Sequence, residues 1–225
     1  MNIEQTRLLQ RRADSHAALA DVTRLQIVDR LAVSDASSSE LGASLGIPSN
    51  LLAHHLNVLA RAGLVTRRRS EGDGRRTYLS LTPRDALALP GTVLASPQRM
   101  LFVCTANTAR SHLAAALWRS ASSVDAASAG THPGSRIHPG ALAAAARHGL
   151  DMPELAPTAL NDIARDGDLI VTVCDRAHEA IGPAGWAHWS VPDPVPDGTD
   201  QAFDAALEDL AARVGALVPK LAKAS

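Results

Sequence analysis

At 225 residues, 46% hydrophobic and 20% charged, the chain is long enough for two compact domains, and no apolar run approaches the roughly 20 residues of a membrane span. The net charge of −1 hides an uneven split: residues 1–84 carry 12 Lys+Arg against 8 Asp+Glu, and residues 85–225 carry 10 against 15. The first part is therefore the expected nucleic-acid binder. Residues 1–7 are polar and lack the apolar core of a secretory signal, so the protein is expected in the cytoplasm with no membrane partner. Two cysteines, Cys104 and Cys174, make no disulfide framework and are read as reactive or incidental.

In chain order, residues 17–32 place Leu19, Val22, Leu25, Ile27, Val28 and Leu31 at mainly helical spacing, with Asp21 set to cap the start. A short helix follows Ser38-Ser39-Glu40-Leu41 and ends at Gly46. Another runs from Ile47-Pro48-Ser49 through Leu52, Leu56 and Leu59 to Gly63, so the pair predicts a helix-turn-helix. Residues 64–66 and 77–81 are β-prone and flank the turn signal Glu71-Gly72-Asp73-Gly74, which predicts an arginine-rich hairpin directly after the second helix. The order is that of a winged helix over residues 1–84. Residues 85–98, with Pro90, Gly91 and Pro97, read as a linker.

From residue 99 onward, short apolar strands alternate with helices: strand 101–103, helix from Ser111, strand 124–128, helix from Pro139, strand 168–173, helix from Asp175, strand 188–191 and helix 200–221. Such alternation predicts an α/β domain whose four strands form a parallel sheet flanked by helices.

In the first domain, Ser49, Asn50, His54, His55 and Asn57 are candidates for base or phosphate contacts from the second helix of the pair. A structural role within the turn is the alternative for His55. Arg67, Arg68, Arg69, Arg75 and Arg76 are expected to grip phosphate, which positions the protein without reading sequence. A solvated charged hairpin is their alternative.

The segment Ala18-Leu19-Ala20-Asp21-Val22-Thr23-Arg24-Leu25-Gln26-Ile27, then Glu40-Leu41, then the run from His55 to Val65, resembles the arsenic-repressor (ArsR/SmtB) family over about residues 14–82. That resemblance implies a homodimer on a palindromic double-stranded DNA operator. The domain has no cysteine to sense arsenite and no His/Asp set with zinc spacing, so no metal site is expected.

In the second domain, Cys104-Thr105-Ala106-Asn107-Thr108-Ala109-Arg110-Ser111 joins an apolar strand to a helical stretch. A strand–loop–helix of this kind directs backbone N–H groups and the positive helix end at one point, a site for a tetrahedral oxyanion such as arsenate or phosphate. Thr105, Ala106, Asn107, Thr108 and Ala109 would supply the loop's donors. Cys104 at the loop's start is the candidate nucleophile, and Arg110 can bind two anion oxygens and stabilise transition-state charge. A lone buried strand cysteine is the bland alternative. His112, His132 and His138 are read as surface or structural groups.

Cys-x5-Arg-Ser, with Ser128-Ala129-Gly130-Thr131, Val171-Thr172-Val173-Cys174-Asp175 and Asp193-Pro194, resembles the low-molecular-weight phosphatase family, including its arsenate-reductase branch, over residues 99–222. The resemblance implies that Ser111 hydrogen-bonds the thiolate, Asn107 shapes the loop and Asp193 is the general acid. Val195-Pro196 stands where phosphatases of the family place aromatic residues, and Cys174 matches the reductase branch's second thiol, or is a buried bystander if a small thiol resolves the Cys104 adduct. The third cysteine of thioredoxin-coupled members is missing, so an external thiol partner is implied: thioredoxin, mycothiol with mycoredoxin, or glutathione with glutaredoxin. No tightly bound cofactor is expected. The leading expectation is an arsenic-resistance protein that represses transcription and reduces arsenate. The alternatives are a regulator whose second domain only senses oxyanions, and a tyrosine phosphatase.

Overall fold

The computed structural model describes residues 3–82, 94, 97–153 and 156–221. Its contacts divide into two units, one of Met1–Arg69 and Arg75–Gly91, the other of Ser70–Gly74 and Thr92–Ser225. Most of the expected linker at 85–98 lies outside the described residues.

The first unit begins with α1 (Ile3–Leu19) and α2 (Val22–Leu31). Asp21 separates them and caps α2, its side chain accepting from Arg24 N at 2.9 Å. The predicted helix over 17–32 is thus the end of one helix and the whole of a second. Most of α1 escapes a periodicity search because it has no apolar stripe: Leu8 and Leu9 are exposed, and only its last turns are buried. β1 (Ala36–Ser37) leads into α3 (Ser38–Leu45), which opens on a capping box between Ser37 and Glu40 and closes on Gly46 in the left-handed region, φ 66°. α4 (Ser49–Arg61) follows, then β2 (Val65–Arg69) and β3 (Thr77–Leu81). The three strands form an antiparallel sheet in the order β1-β3-β2. Ile27, Leu31, Leu41, Leu52, Leu56, Leu59 and Leu79 meet in one core, so both helices of the helix-turn-helix are held by their apolar faces.

The second unit is an α/β layer structure. β4 (Arg99–Cys104), β5 (Asp125–Gly130), β6 (Asp168–Thr172) and β7 (Ala187–His188) form a wholly parallel sheet in the order β5-β4-β6-β7. β4 is central and buried along its whole length, as a parallel strand covered on both faces must be. Its first residue, Arg99, is buried and paired with Asp168 at the start of β6 by two bonds of 2.8 and 2.6 Å, which ties the two strands in register. α5 (Arg110–Ala121), α6 (Pro139–Arg147) and α9 (Asp200–Leu217) pack on one another against the sheet, while α8 (Asp175–Ile181) packs on β4 and β6. α7 (Leu160–Ile163) is a single turn beside β5.

The strands expected over 101–103 and 124–128 run over Arg99–Cys104 and Asp125–Gly130, and two further ends shift at a proline. The last helix stops at Leu217 rather than Leu221, because Pro219 lacks an N–H and the chain tightens into a 3-10 turn, Val218–Lys220. The strand expected over 188–191 is regular only through His188; Trp189 N still bonds Thr172 O at 2.7 Å before Pro192 ends the pairing. Leu94 N donates to Lys220 O at 2.7 Å, in a parallel bridge with Leu221.

Candidate functional site

All four strands of the second unit run the same way, so their C-terminal ends deliver loops 105–109, 131–138, 173–174 and 189–199 to one edge, where ligands bind in open parallel sheets. The loop after β4 is built by its neighbour. The carbonyls of Cys104, Thr105, Ala106 and Thr108 accept from the backbone N–H groups of Thr131, His132, Gly134 and His138 at 3.1, 2.8, 2.8 and 2.8 Å. In a planar trans peptide the N–H points opposite its carbonyl, so pinning these carbonyls toward 131–138 turns the N–H groups of Thr105, Ala106, Asn107 and Ala109 the other way. One of them, Asn107 N–H, donates to Cys104 Sγ at 3.2 Å.

Asn107 is fully buried and is the non-glycine residue with positive φ, 51°, among the described residues. Asparagine tolerates that region better than most side chains, and here the structure holds it there. Its Nδ2 donates to Ser111 Oγ at 2.8 Å and Ser128 Oγ at 3.1 Å, and its Oδ1 accepts from Thr158 N at 2.8 Å. Ser111 Oγ, which accepts from Asn107, lies 3.1 Å from Cys104 Sγ and can give its own hydrogen to a thiolate there. Cys104 thus receives two donors, the arrangement a thiolate accepts. Gly130 permits this proximity: a Cβ there would lie 2.8 Å from Thr105 O and 3.0 Å from Asn107 Cβ.

Arg110, the first residue of α5, is buried and closes the loop. Its Nη1 donates to Val191 O at 2.9 Å and to Glu71 Oε2 at 3.2 Å, and its Nη2 pairs with Asp193 Oδ2 at 3.0 Å. Burial works against the guanidinium's charge, but Cys174 and Cys104, wherever they ionise, together with the Asp193 and Glu71 carboxylates, outweigh it and raise its pKa further. The expected acid Asp193 therefore stands on Arg110, with Oδ1 also accepting from Val195 N at 3.2 Å.

Cys174 is buried at the N-terminus of α8, with Sγ accepting from Ala177 N at 3.4 Å and lying 3.4 Å from Thr105 Oγ1 of the loop itself. Burial pushes this thiol's pKa up, the charge of Cys104 adds to that, and Arg110 opposes it. Next to it, Asp175 is buried, which alone would raise its pKa. Hydrogen bonds from His188 Nε2 (3.1 Å), Ser190 Oγ (2.6 Å) and Glu71 N (2.9 Å) win and hold it at about 2. His188 in turn meets Thr172 Oγ1 at 3.0 Å and stacks on His178.

Of the three histidines set aside as surface or structural groups, His138 caps α6 through Nδ1 and stacks on Phe203, and His132 is exposed. His112 is buried rather than at the surface. Burial lowers its pKa, and its Nδ1 lies 3.3 Å from Ser128 Oγ.

In the first unit, Ser49, Asn50, His54 and Asn57 are exposed on α4, and Arg67, Arg69, Arg75 and Arg76 are exposed on or beside the hairpin strands, with Arg68 half-buried. Arg67 Nη2 donates to Asn57 Oδ1 at 3.0 Å. His55 departs from this set. It is 7% exposed on the core side of α4, with Nδ1 3.7 Å from Asp21 Oδ1, because position 55 shares its face with Leu52, Leu56 and Leu59. Its place is structural, not a base contact.

Sequence reasoning missed Glu71, Asp175, Ser128 and Thr158 as site groups. Glu71 registered only as part of a turn signal, and nothing local marks Thr158 as the donor to Asn107. Among the described residues no group of three or more His, Cys, Asp or Glu is placed to hold a metal ion, and no helix is long and apolar enough to cross a membrane.

The family model described as low molecular weight phosphotyrosine protein phosphatase matches residues 99–225, and a helix-turn-helix domain model matches residues 19–68. No curated protein matches the chain. Among solved structures, a tyrosine phosphatase of Erwinia amylovora is similar at 23% identity with a TM-score of 0.50, over 57% of this chain and 95% of that one. A tyrosine phosphatase from Escherichia coli K30, solved with sulphate, is similar at 22% identity with a TM-score of 0.50, over 56% of this chain and 99% of that one. An arsenate reductase of Archaeoglobus fulgidus is 30% identical with a TM-score of 0.46, over 53% of this chain and 98% of that one.

Proposed function

The chain belongs to the low-molecular-weight phosphotyrosine protein phosphatase family, and we propose that its residues 99–225 act as a thiol-dependent arsenate reductase joined to a DNA-binding transcriptional repressor. The observation that carries arsenate over a phosphoester is the second thiol: Cys174 sits 3.4 Å from Thr105 Oγ1, at the base of the same loop that holds Cys104. A phosphatase needs one nucleophile, whereas a reductase needs a second thiol or an external one to take electrons from the first. Val195 and Pro196 after Asp193-Pro194 also offer no aromatic wall for an aryl phosphate.

In this reading arsenate lies on the loop N–H groups and Arg110. The Cys104 thiolate attacks arsenic, an As–O bond breaks, and Asp193 gives its proton to the departing oxygen, which leaves as water. Attack by a second thiolate on Cys104 Sγ forms an S–S bond and leaves the S–As electron pair on arsenic, which departs as arsenite while two thiols are oxidised. Burial and the Cys104 charge are what keep Cys174 protonated. Forming the Cys104–arsenic bond takes the charge off Cys104 Sγ and so removes one of the two effects that hold Cys174 protonated. The disulfide then passes to thioredoxin, or a small thiol such as mycothiol or glutathione replaces Cys174 in the second step. The first unit would bind its operator as a homodimer through α4 and the hairpin arginines, in the cytoplasm.

Arsenate-dependent NADPH oxidation by purified protein, coupled in parallel to thioredoxin and mycothiol/mycoredoxin systems, tests the reading. Turnover is expected in at least one system and is expected to vanish in Cys104→Ser. Loss of turnover in Cys174→Ser assigns the second thiol to the chain, and retention assigns it to the small thiol. Absence of turnover in both systems, with efficient para-nitrophenyl phosphate hydrolysis, would replace the reductase by a phosphatase. Oxyanion binding with neither activity would make the unit a sensor.

A further inference from the structure

The second unit includes the five-residue turn Ser70–Gly74, and that turn brings a carboxylate to the anion site. Glu71 Oε2 accepts from Arg110 Nη1 at 3.2 Å, and Oε1 accepts from the backbone N–H of Asp193 at 3.0 Å. The rest of the turn is anchored around it. Glu71 N donates to Asp175 Oδ2 at 2.9 Å, and Glu71 O accepts from Arg176 Nε at 3.1 Å. Ser70 Oγ and Asp73 N donate to the two carboxylate oxygens of Glu179, each at 2.7 Å. Gly72 allows the approach, since a Cβ there would run into the Glu179 carboxylate and lie 3.3 Å from Arg176 Cα. Two oxygens of one anion thus take a guanidinium N–H and a backbone N–H, the kind of donors a bound tetrahedral oxyanion would use.

We propose that Glu71 is an internal competitor for the oxyanion: arsenate or phosphate engages Arg110 only as the Glu71 carboxylate withdraws. The proposal rests on the reading of the Cys104–Arg110 loop as an oxyanion site. Charge makes the exchange necessary. Arg110 already faces Glu71 and Asp193, and even with Asp193 protonated as the acid, a dianion added beside the Glu71 carboxylate would crowd three negative charges around one buried cation. Asp193 is the acid of the reaction and remains; Glu71 has no part in it. Anion binding and release of the Ser70–Gly74 turn are therefore one equilibrium, and by reciprocity a partner that holds the turn elsewhere raises anion affinity by the same factor.

The test titrates inorganic phosphate into the reduced full-length protein by calorimetry in low-chloride buffer, comparing wild type with Glu71→Gln and Glu179→Gln. If the turn is seated about nine-tenths of the time, removing the competitor tightens phosphate binding about tenfold. Glu179→Gln, which only loosens the turn's anchor, is expected to tighten it in the same direction by less. Saturating phosphate is expected to raise hydrogen exchange at the Glu71 and Asp73 amides of wild type. Equal or weaker binding in Glu71→Gln, with exchange at the turn unchanged by phosphate, overturns the competitor role and leaves the oxyanion site intact. No phosphate binding by any of the three proteins overturns the oxyanion site itself.

Discussion

Replacing Asn107 with alanine is the most direct probe of what holds the reactive loop. The substitution removes two donors to Ser111 and Ser128 and the acceptor of Thr158 N, all in a residue with no solvent exposure. Losing three such bonds costs about 1 kcal/mol each, and alanine at φ 51° adds about 1 kcal/mol of backbone strain that asparagine bears more easily. The sum, about 4 kcal/mol, corresponds to a fall in Tm of roughly 15 °C for a unit of this size. Trp118, Trp186 and Trp189 all lie in the second unit, so tryptophan fluorescence during thermal or urea unfolding reports that unit selectively. Asn107→Gly accepts the same φ without strain and is expected to recover about 1 kcal/mol, while still losing oxyanion affinity because Ser111 is no longer positioned. An alanine variant within 1 kcal/mol of wild type that also keeps phosphate affinity would refute the claim that Asn107 organises the loop.

Asp175, held at about 2 against an ordinary 3.8, contributes stability that is present above pH 4 and lost as pH falls toward 2, on the order of 2 kcal/mol. Urea midpoints followed by tryptophan fluorescence from pH 6 to 2.5 should show that loss in wild type and a much flatter profile in Asp175→Asn. Gly130→Ala drives a methyl group to 2.8 Å from Thr105 O, so it is expected to cost about 1–3 kcal/mol and to weaken phosphate binding; unchanged binding would mean that the loop has more slack than its hydrogen bonds indicate. Arg110→Lys keeps the charge but not the fork, and should lower oxyanion affinity at least about tenfold in calorimetry. Arg75→Ala should weaken DNA binding evenly across sequences and reduce the slope of log K against log salt by about 1, measured by fluorescence anisotropy.

Local patterning carried much of this architecture. The Asp21 cap, the Ser37–Glu40 capping box, the Gly46 stop and the turn at 71–74 are written in adjacent residues, and short apolar strands alternating with helices imply a parallel sheet whichever way it is ordered. Cys104, Arg110 and Ser111 were legible for the same reason: one strand, one loop and one helix start bring them together within eight residues. α1 was not legible, because a helix that buries little carries no stripe. His55 could be placed only once α4 was seated, since the residue type suits a groove or a core equally well.

What the sequence by itself determined, then, is much of what neighbours along the chain hold, including Cys104, its loop and the helix that begins at Arg110. Tertiary structure alone decided the partners drawn from far away: Thr158 and Ser128 on Asn107, Gly134 and His138 on the loop carbonyls, His188 and Ser190 on Asp175, and Glu71 on Arg110. Hydrogen bonds across 13 to 51 residues leave no periodic trace in a sequence. Those within the second unit's sheet come from the order β5-β4-β6-β7, which gathers the ends of four parallel strands at one edge, and Glu71 comes on the Ser70–Gly74 turn.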